Sequence, residues 1–425
     1  MNFWGSLRHP LLVAVLRISL NRGLGQAILF GVTLLSTSFY SPADFGLAGT
    51  FFSITALLAA VASMRFEYIA IIANGIRVKN KLFGLAYLAL IFFFSVPTIL
   101  AIIYVFVFGI SELNVMCTLL PASIVANALT QQVVPAQCAS PQLSKQVARM
   151  AQVVAIGSGA VQLLGAYVSP NALTLLISRL LGCVVGVVFV WHQVSEGFRL
   201  ASAVRFRDLR RFWPLVANEF SFGGMSTILS VIGTQTPLYY FIYNGLQKEA
   251  GVYWLSYSVI FIPYTIIAGS LRPLLLNEFT TVRGEGFEGI VSKTRLHSII
   301  ALPIGILSFF IFSAFSALIS HLILSEKWEL FGNYTIWMSL LLIGIVAQTP
   351  VSIASTALRM QRGNFLYNVL QVVLRTAAMI LVAMLSRSIE YVVPAFCVSG
   401  CVVALGYAVL MNVSISRSKT DVVAA

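Results

Sequence analysis

The chain reads as an all-α polytopic membrane protein of about twelve transmembrane helices in two six-helix bundles. Three observations predict this. Hydrophobic residues make up 59% of the chain and charged residues 10%, against about 25% charged in an average soluble domain, so a water-facing surface cannot be built from it. Apolar runs of about twenty residues, the length that crosses a bilayer's hydrocarbon core, recur from end to end. The basic residues fall almost entirely on alternate breaks between those runs.

The first run, 16–39, leads through Tyr40-Ser41-Pro42 directly into the second, 44–64. A cleaved leader is therefore not expected, because its removal would discard a span. The second run opens on an acidic turn, Asp44 then Gly46, and closes on Arg65 and Glu67. Runs three and four, 82–108 and 113–136, carry Pro97, Pro121 and Pro135; runs five and six, 149–168 and 171–194, are separated by Ser169-Pro170. Run seven, 214–243, opens on Asn218-Glu219, and run eight, 250–271, lies between Glu249-Ala250-Gly251 and Arg272. Runs 297–322, 331–357, 365–386 and 389–413 complete the set, with Pro303 and Pro350 inside two of them. Prolines of this kind commonly mark bending helices whose freed backbone groups line a cavity, and are also commoner in membrane helices generally. The connections are short, so no soluble domain is expected on either face. The expected organisation is a six-helix bundle over 1–198, a basic cytoplasmic linker over 199–213, a second six-helix bundle over 214–413 and a cytoplasmic tail over 414–425.

Only Lys248, Lys327 and Arg387 fall on one side of this arrangement, and Arg179 and Arg375 fall inside runs; the rest of the 27 Lys and Arg residues take the other side. By the positive-inside rule that side is cytoplasmic. An even number of spans then puts both termini in the cytoplasm, and the localisation expected is a bacterial inner membrane. The stretch Arg199–Arg211 is the densest basic loop; it fixes topology and rests on anionic headgroups. Beyond it the second half echoes the first. The segment 41–72 has a looser copy at 249–273, each with an acidic outer end and an arginine at its inner end. Asn21-Arg22-Gly23-Leu24-Gly25-Gln26 is echoed by Asn218-Glu219 with Gly223-Gly224, and Gln152-Val153-Val154 by Gln371-Val372-Val373. Six helices per half give both halves one orientation, a parallel repeat about an axis along the membrane normal.

The composition excludes several classes of function. A net charge of +13 belongs to the cytoplasmic loops, not to a nucleic-acid partner. The five cysteines, Cys117, Cys138, Cys183, Cys397 and Cys401, sit in apolar runs without the spacing of a zinc site. His9, His192, His297 and His321 are scattered near run ends. No Gly-x-Ser-x-Gly, phosphate loop or His-Glu-x-x-His occurs, so neither catalysis nor a cofactor or metal is expected.

What remains is a set of polar groups at membrane depth, costly in lipid and therefore turned toward an interior or toward each other. Asn368, Gln371 and Arg375 fall at i, i+3 and i+7 on run eleven; Arg22 and Gln26 are i, i+4 on run one. Asn127 with Gln131, and Gln348 with Ser352 and Ser355, share faces of runs four and ten, and Arg179 stands alone in run six. The amides serve equally as cavity lining or as interhelical bonds of about 0.6 kcal/mol each. A guanidinium at the midplane costs at least ~2.5 kcal/mol on insertion scales, so Arg375 requires a partner or a substrate. Arg22, Arg65 and Arg272 lie near enough to the cytoplasmic interface to snorkel. Glu219 either pairs with one of these arginines or serves as a proton-coupling site. The excess of fixed positive groups favours an anionic cargo, since the planar arginine fork suits phosphate oxygens. The candidate substrate-binding set is Arg22, Gln26, Arg65, Arg179, Arg272, Gln371 and Arg375, with Glu219 as coupling candidate.

Ser41-Pro42-x-Asp44-Phe45-Gly46, with Met64-Arg65-Phe66-Glu67 after the span, resembles the early part of polysaccharide transporter (Wzx-type, O-antigen or capsule) flippases of the multidrug/oligosaccharidyl-lipid/polysaccharide superfamily. Ala250-Gly251-Val252-Tyr253, Lys327-Trp328, and Pro350-Val351-Ser352 with Gln361 extend the resemblance over most of the chain. One motif departs: the usual Phe-Gly-x-x-Trp turn stands as Leu324-Ser325-Glu326-Lys327-Trp328. The resemblance implies two six-helix bundles forming a V around a cationic cavity, and alternating access. It also implies a cargo of undecaprenyl diphosphate carrying a sugar repeat unit, moved from the inner to the outer leaflet. Arg22, Arg65 and Arg272 match the arginines such flippases carry in helices one, two and eight. Membrane lipids and the polymerase and chain-length proteins of the same pathway are the partners implied. The competing readings are a cation-coupled drug exporter, which would want several acidic groups at depth, and a polysaccharide polymerase, which would want a long outer loop.

Overall fold

A computed structural model describes residues 10–73, 75–108, 112–138, 144–283, 287–358, 361–386 and 388–423. Every regular element among them is helical, as lipid requires of a spanning chain: with no water to accept them, backbone N–H and C=O groups must bond within the segment. The residues gather into two compact units, Met1–Val231 and Ile232–Ala425.

The first unit begins with α1 (Pro10–Ser36), α2 (Pro42–Ala62), the short α3 (Phe66–Ile72) and α4 (Ile76–Phe108). α5 (Glu112–Ala128) passes through a π-helical turn, Leu129–Val133, into the single turn α6 (Val134–Gln137). α7 (Ser144–Val168), α8 (Ala172–Phe189) and α9 (Trp191–Ser202) follow, then α10 (Phe206–Asn218) and a second π-helical turn, Glu219–Gly224. α11 (Met225–Tyr243) crosses from the first unit into the second. The second unit continues with α12 (Gln247–Arg283), α13 (Phe287–Leu322), α14 (Phe331–Ala357), α15 (Gln361–Ser386) and α16 (Val392–Val423).

Nine helices among the described residues are long and apolar enough to cross a membrane, and Phe206–Ala217 with Glu219–Tyr243 makes a tenth as a bent pair. The apolar stretch Gly23–Ser36 of α1 and the helix α12 carry the first and eighth expected runs, so all twelve runs fall on helices. The chain is a multi-pass membrane protein.

Local chemistry explains where the elements start. Ser41 caps α2: its Oγ accepts from Asp44 N at 3.2 Å while Asp44 Oδ2 accepts from Ser41 N at 3.0 Å, and Pro42 begins the helix with a residue that has no N–H to satisfy. The acidic turn read in the sequence is thus a reciprocal cap. Asn171 does the same for α8, accepting from Thr174 N at 2.9 Å. At the other end of α2 the helix does not simply fray: Met64 and Arg65 take φ of 51° and 63°, a left-handed pair that costs non-glycine residues roughly 1–2 kcal/mol each, and the chain re-enters helix at Phe66.

Two boundaries differ from the sequence expectation. α12 continues past Arg272 to Arg283, and α13 starts at Phe287, before its apolar run begins. The extension is held by charge: Lys293 Nζ lies 2.6 Å from Glu278 Oε1 and His297 Nε2 lies 3.1 Å from Glu278 Oε2. Burial raises the Glu278 pKa, but the Lys293 hydrogen bond and His297 outweigh it and hold the carboxyl below its usual range. The basic stretch expected to be a loop over 199–213 is also largely helical. α10 lays Phe212 and Val216 against Phe66, Leu82 and Phe83, and Asp208 meets Lys81 Nζ at 2.5 Å.

The first unit's core is apolar, built on Ala59, Tyr87, Leu90, Ile124, Leu129, Val133, Met150 and Val154. The second unit's interior carries hydrogen-bonded polar side chains. Tyr367 donates to Gln348 Oε1 and Tyr407 to Asn364 Oδ1, and Ser355 Oγ bonds the same Asn364 oxygen at 2.9 Å.

Replacing Ser41 by Ala removes the reciprocal cap and is expected to cost about 1 kcal/mol. Thermal unfolding of the detergent-solubilised protein should show a lowered midpoint for Ser41→Ala and near-native behaviour for Ser41→Thr.

Candidate functional site

The left-handed pair after α2 determines where Arg65 lies. A helix continued through 64 and 65 would carry the side chain along the helix face; the reversal at Arg65 instead sets it beside the π-helical turn Glu219–Gly224. A Cβ built on Gly223 would lie 3.1 Å from Glu219 Oε2 and 3.3 Å from Arg65 Nη2. Cation and carboxylate therefore converge on one glycine, which leaves room for both. The Arg65 guanidinium carbon also stands 5.3 Å from the Tyr68 ring centroid, and its Nε is buried without an acceptor.

Glu67 adds a second carboxylate. It is 5% exposed, and its Oε2 is buried without a hydrogen-bond partner. Burial pushes its pKa up, and a Ser63 hydrogen bond, its own backbone and the Arg65 charge only partly offset this. The first unit thus gathers Arg65, Glu219, Glu67, Tyr68 and Gly223 at the C-terminal end of α2. Such a cluster can hold an anionic oxygen at the free guanidinium N–H and take or release a proton at a carboxyl.

The other sequence-derived candidates are distributed. Arg22 lies on α1, and its side chain falls outside the described residues. Gln26 is half-buried on α1, next to Gly25, where a Cβ would come within 3.2 Å of Ala151 O and Gln152 Cα on α7. Arg179 is half-buried on α8. Arg272 is exposed on α12, within the helix and not at its end, and it acts electrostatically on Tyr264, whose hydroxyl bonds Thr349 Oγ1 at 2.9 Å. Gln371 and Arg375 share the buried side of α15, at 7% and 1% exposed. Of the amides held in common between cavity and packing, Gln348 is taken up by its bond to Tyr367.

Sequence reading left Glu219 to pair with one of Arg22, Arg65 and Arg272 or to act as a coupling site, and did not single out Arg65. The one signal was the glycine pair Gly223-Gly224, noted there only as a repeat mark. Glu67 was visible only as a charge near a span end. No group of three or more His, Cys, Asp or Glu residues able to hold a metal occurs among the described residues.

The profile of a family described as "Polysaccharide biosynthesis protein" matches residues 37–332. No curated protein matches the sequence. Among solved structures, an inward-facing multidrug resistance MATE family transporter of the MOP superfamily aligns with TM-score 0.69 at 13% identity, covering 96% of this chain and 99% of that one. The lipid II flippase MurJ in an inward closed conformation aligns with TM-score 0.65 at 11% identity, covering 95% and 90%. A MOP superfamily transporter from Pyrococcus furiosus, described as having a binding pocket of reverse polarity, aligns with TM-score 0.60 at 14% identity, covering 95% of each chain. The fold is that of MOP transporters, and these neighbours are transporters, not enzymes.

Two outcomes are expected. Because the folded state holds the Glu67 proton to higher pH than the unfolded chain does, stability falls as pH rises from the ordinary carboxylate value through the raised one, then levels. Glu67→Gln should flatten that slope in unfolding midpoints measured between pH 4 and 8. Arg65→Gly removes the left-handed penalty that Arg65→Ala keeps, so the glycine variant should be the more stable by about 1 kcal/mol in the same unfolding measurement.

Proposed function

We infer, from the fact that this chain belongs to the polysaccharide biosynthesis protein family, that it is a flippase for a lipid-linked oligosaccharide. The cargo is an undecaprenyl-diphosphate-linked repeat unit, carried by alternating access from the cytoplasmic to the periplasmic leaflet of the bacterial inner membrane for O-antigen, capsule or exopolysaccharide assembly. Both termini lie in the cytoplasm. The observation that carries this reading is Arg65, a cation set on a strained backbone at the inner end of a span with a buried N–H left for an anionic oxygen.

In this reading Arg65 binds a phosphate oxygen of the diphosphate within the first unit, Arg22, Gln26 and Arg179 are further cargo-binding candidates of that unit, and Arg272 is a cargo-binding candidate of the second. Glu219 competes with the phosphate for Arg65, so that cargo arrival frees a carboxylate to take a proton, which is the coupling role. Two negative charges moving outward across a membrane that is negative inside gain roughly 4.6 kcal/mol at 100 mV, so the potential supplies a large part of the work. A cationic drug is a poor fit to a chain of net charge +13 whose candidate site is mostly arginine.

The test uses cells that depend on this chain for surface polysaccharide, with every variant expressed at the wild-type level. Arg65→Ala and Arg272→Ala are expected to lower surface polysaccharide more than tenfold and to accumulate lipid-linked repeat units facing the cytoplasm, while Lys248→Ala leaves it unchanged. Normal surface polysaccharide in both arginine variants would remove the support for the proposal.

A further inference from the structure

The second unit encloses a charge without a counter-charge. Arg375 is 1% exposed, and its Nε, Nη1 and Nη2 are all buried without an acceptor. Its guanidinium carbon lies 3.8 Å from the centroid of the Phe396 ring. A Cβ on Gly400 would fall 2.7 Å from its Nε, and also 2.7 Å from Leu341 Cδ1, so the headgroup is wedged among α14, α15 and α16. The ionisable groups that act on it are Tyr253, Cys397, Tyr367 and Tyr257, with no carboxylate among the described residues.

None of these neighbours neutralises it. Tyr253 gives its proton to Thr234 O at 2.5 Å, and Tyr367 gives its own to Gln348 Oε1. Arginine does not shed its proton in proteins. The Phe396 face contributes a cation–π attraction but accepts none of the five N–H groups. Water would satisfy donors and leave the charge uncompensated, whereas a bound anion does both, and buried charges persist where they are paired. The guanidinium is packed directly against the Phe396 ring and the Gly400 backbone, with Leu341 beside it, contacts too close for a sugar-bearing headgroup to share.

We propose that Arg375 holds a small monovalent inorganic anion of the halide class inside the C-terminal unit. The same chemistry would recognise one phosphate of the cargo, and the two sources differ in size and charge. The anion makes the buried guanidinium tolerable in a membrane-embedded bundle, and the stability of this unit therefore depends on the halide concentration. This inference does not rest on the flippase reading, since the binding needs neither cargo nor transport.

The experiment follows the unfolding midpoint of the purified full-length chain in detergent at constant ionic strength. Chloride or bromide replaces gluconate in one arm, and inorganic phosphate or diphosphate in the other. The wild type should gain stability saturably with halide, by about 5 °C at a hundred times the dissociation constant, and gain nothing comparable from phosphate. Arg375→Met, which replaces a buried charge by an apolar side chain of similar length, should lose the halide response. Should that variant not fold, Gly400→Ala places a methyl against Nε and should weaken halide binding at least tenfold. Equal wild-type midpoints in chloride and gluconate would overturn the proposal, as would a full halide response in Arg375→Met. Stabilisation by phosphate alone would also overturn it and make Arg375 a cargo contact.

Discussion

The constraint on which everything else depends is that a backbone crossing lipid must bond to itself. It accounts for a fold made of helices, and it also sets where a helix can stop. The turn at Met64-Arg65 comes after the long apolar stretch of α2, and α3 carries the chain on against α4 and α10. The two π-helical turns, at Leu129–Val133 and Glu219–Gly224, each keep hydrogen bonding while shifting the register of the side chains that follow. The irregular turns at Arg65 and Glu219–Gly224 also re-aim polar groups.

Two arginines illustrate opposite uses of that constraint. Arg65 sits on broken backbone, shares a glycine with Glu219 and keeps one N–H uncommitted. Arg375 sits in an unbroken helix and is closed off by Phe396 and Gly400. The first is arranged to exchange partners, the second to keep one. The polar interior of the second unit, with Tyr367 on Gln348 and Tyr407 on Asn364, extends the environment in which a sealed charge is tolerable.

Much of the architecture was legible in the sequence because it depends on run length and charge sign, which survive without a third dimension. The twelve apolar runs found their helices, and the acidic turn at Asp44 read in the sequence is a cap closed within three residues. Gln371 and Arg375 were placed on one face by spacing alone, and they do share the buried side of α15. The site was less legible. Arg65 and Glu219 meet only because two distant segments approach at a residue without a side chain, and no periodicity encodes that approach. The left-handed turn at Met64-Arg65 is carried by residues that do not favour it, so propensity pointed the other way. The helical extensions around Glu278 are held by ion pairs between consecutive helices, while hydropathy registers only where the apolar stretch ends.

The bond from Tyr40 to α7, far along the chain, has a consequence for synthesis. The cap at Ser41 closes as soon as Asp44 has left the ribosome, since its partners are three residues apart. The Tyr40 hydroxyl, fully buried in the finished protein, donates to Gln162 O at 3.0 Å, an acceptor made only after four further spans. Until α7 is made that hydroxyl cannot meet its acceptor, and an aromatic ring with a polar end sits comfortably at a membrane–water interface. The residue is therefore suited to two successive addresses, the interface while the chain is being threaded and the interior once α7 arrives.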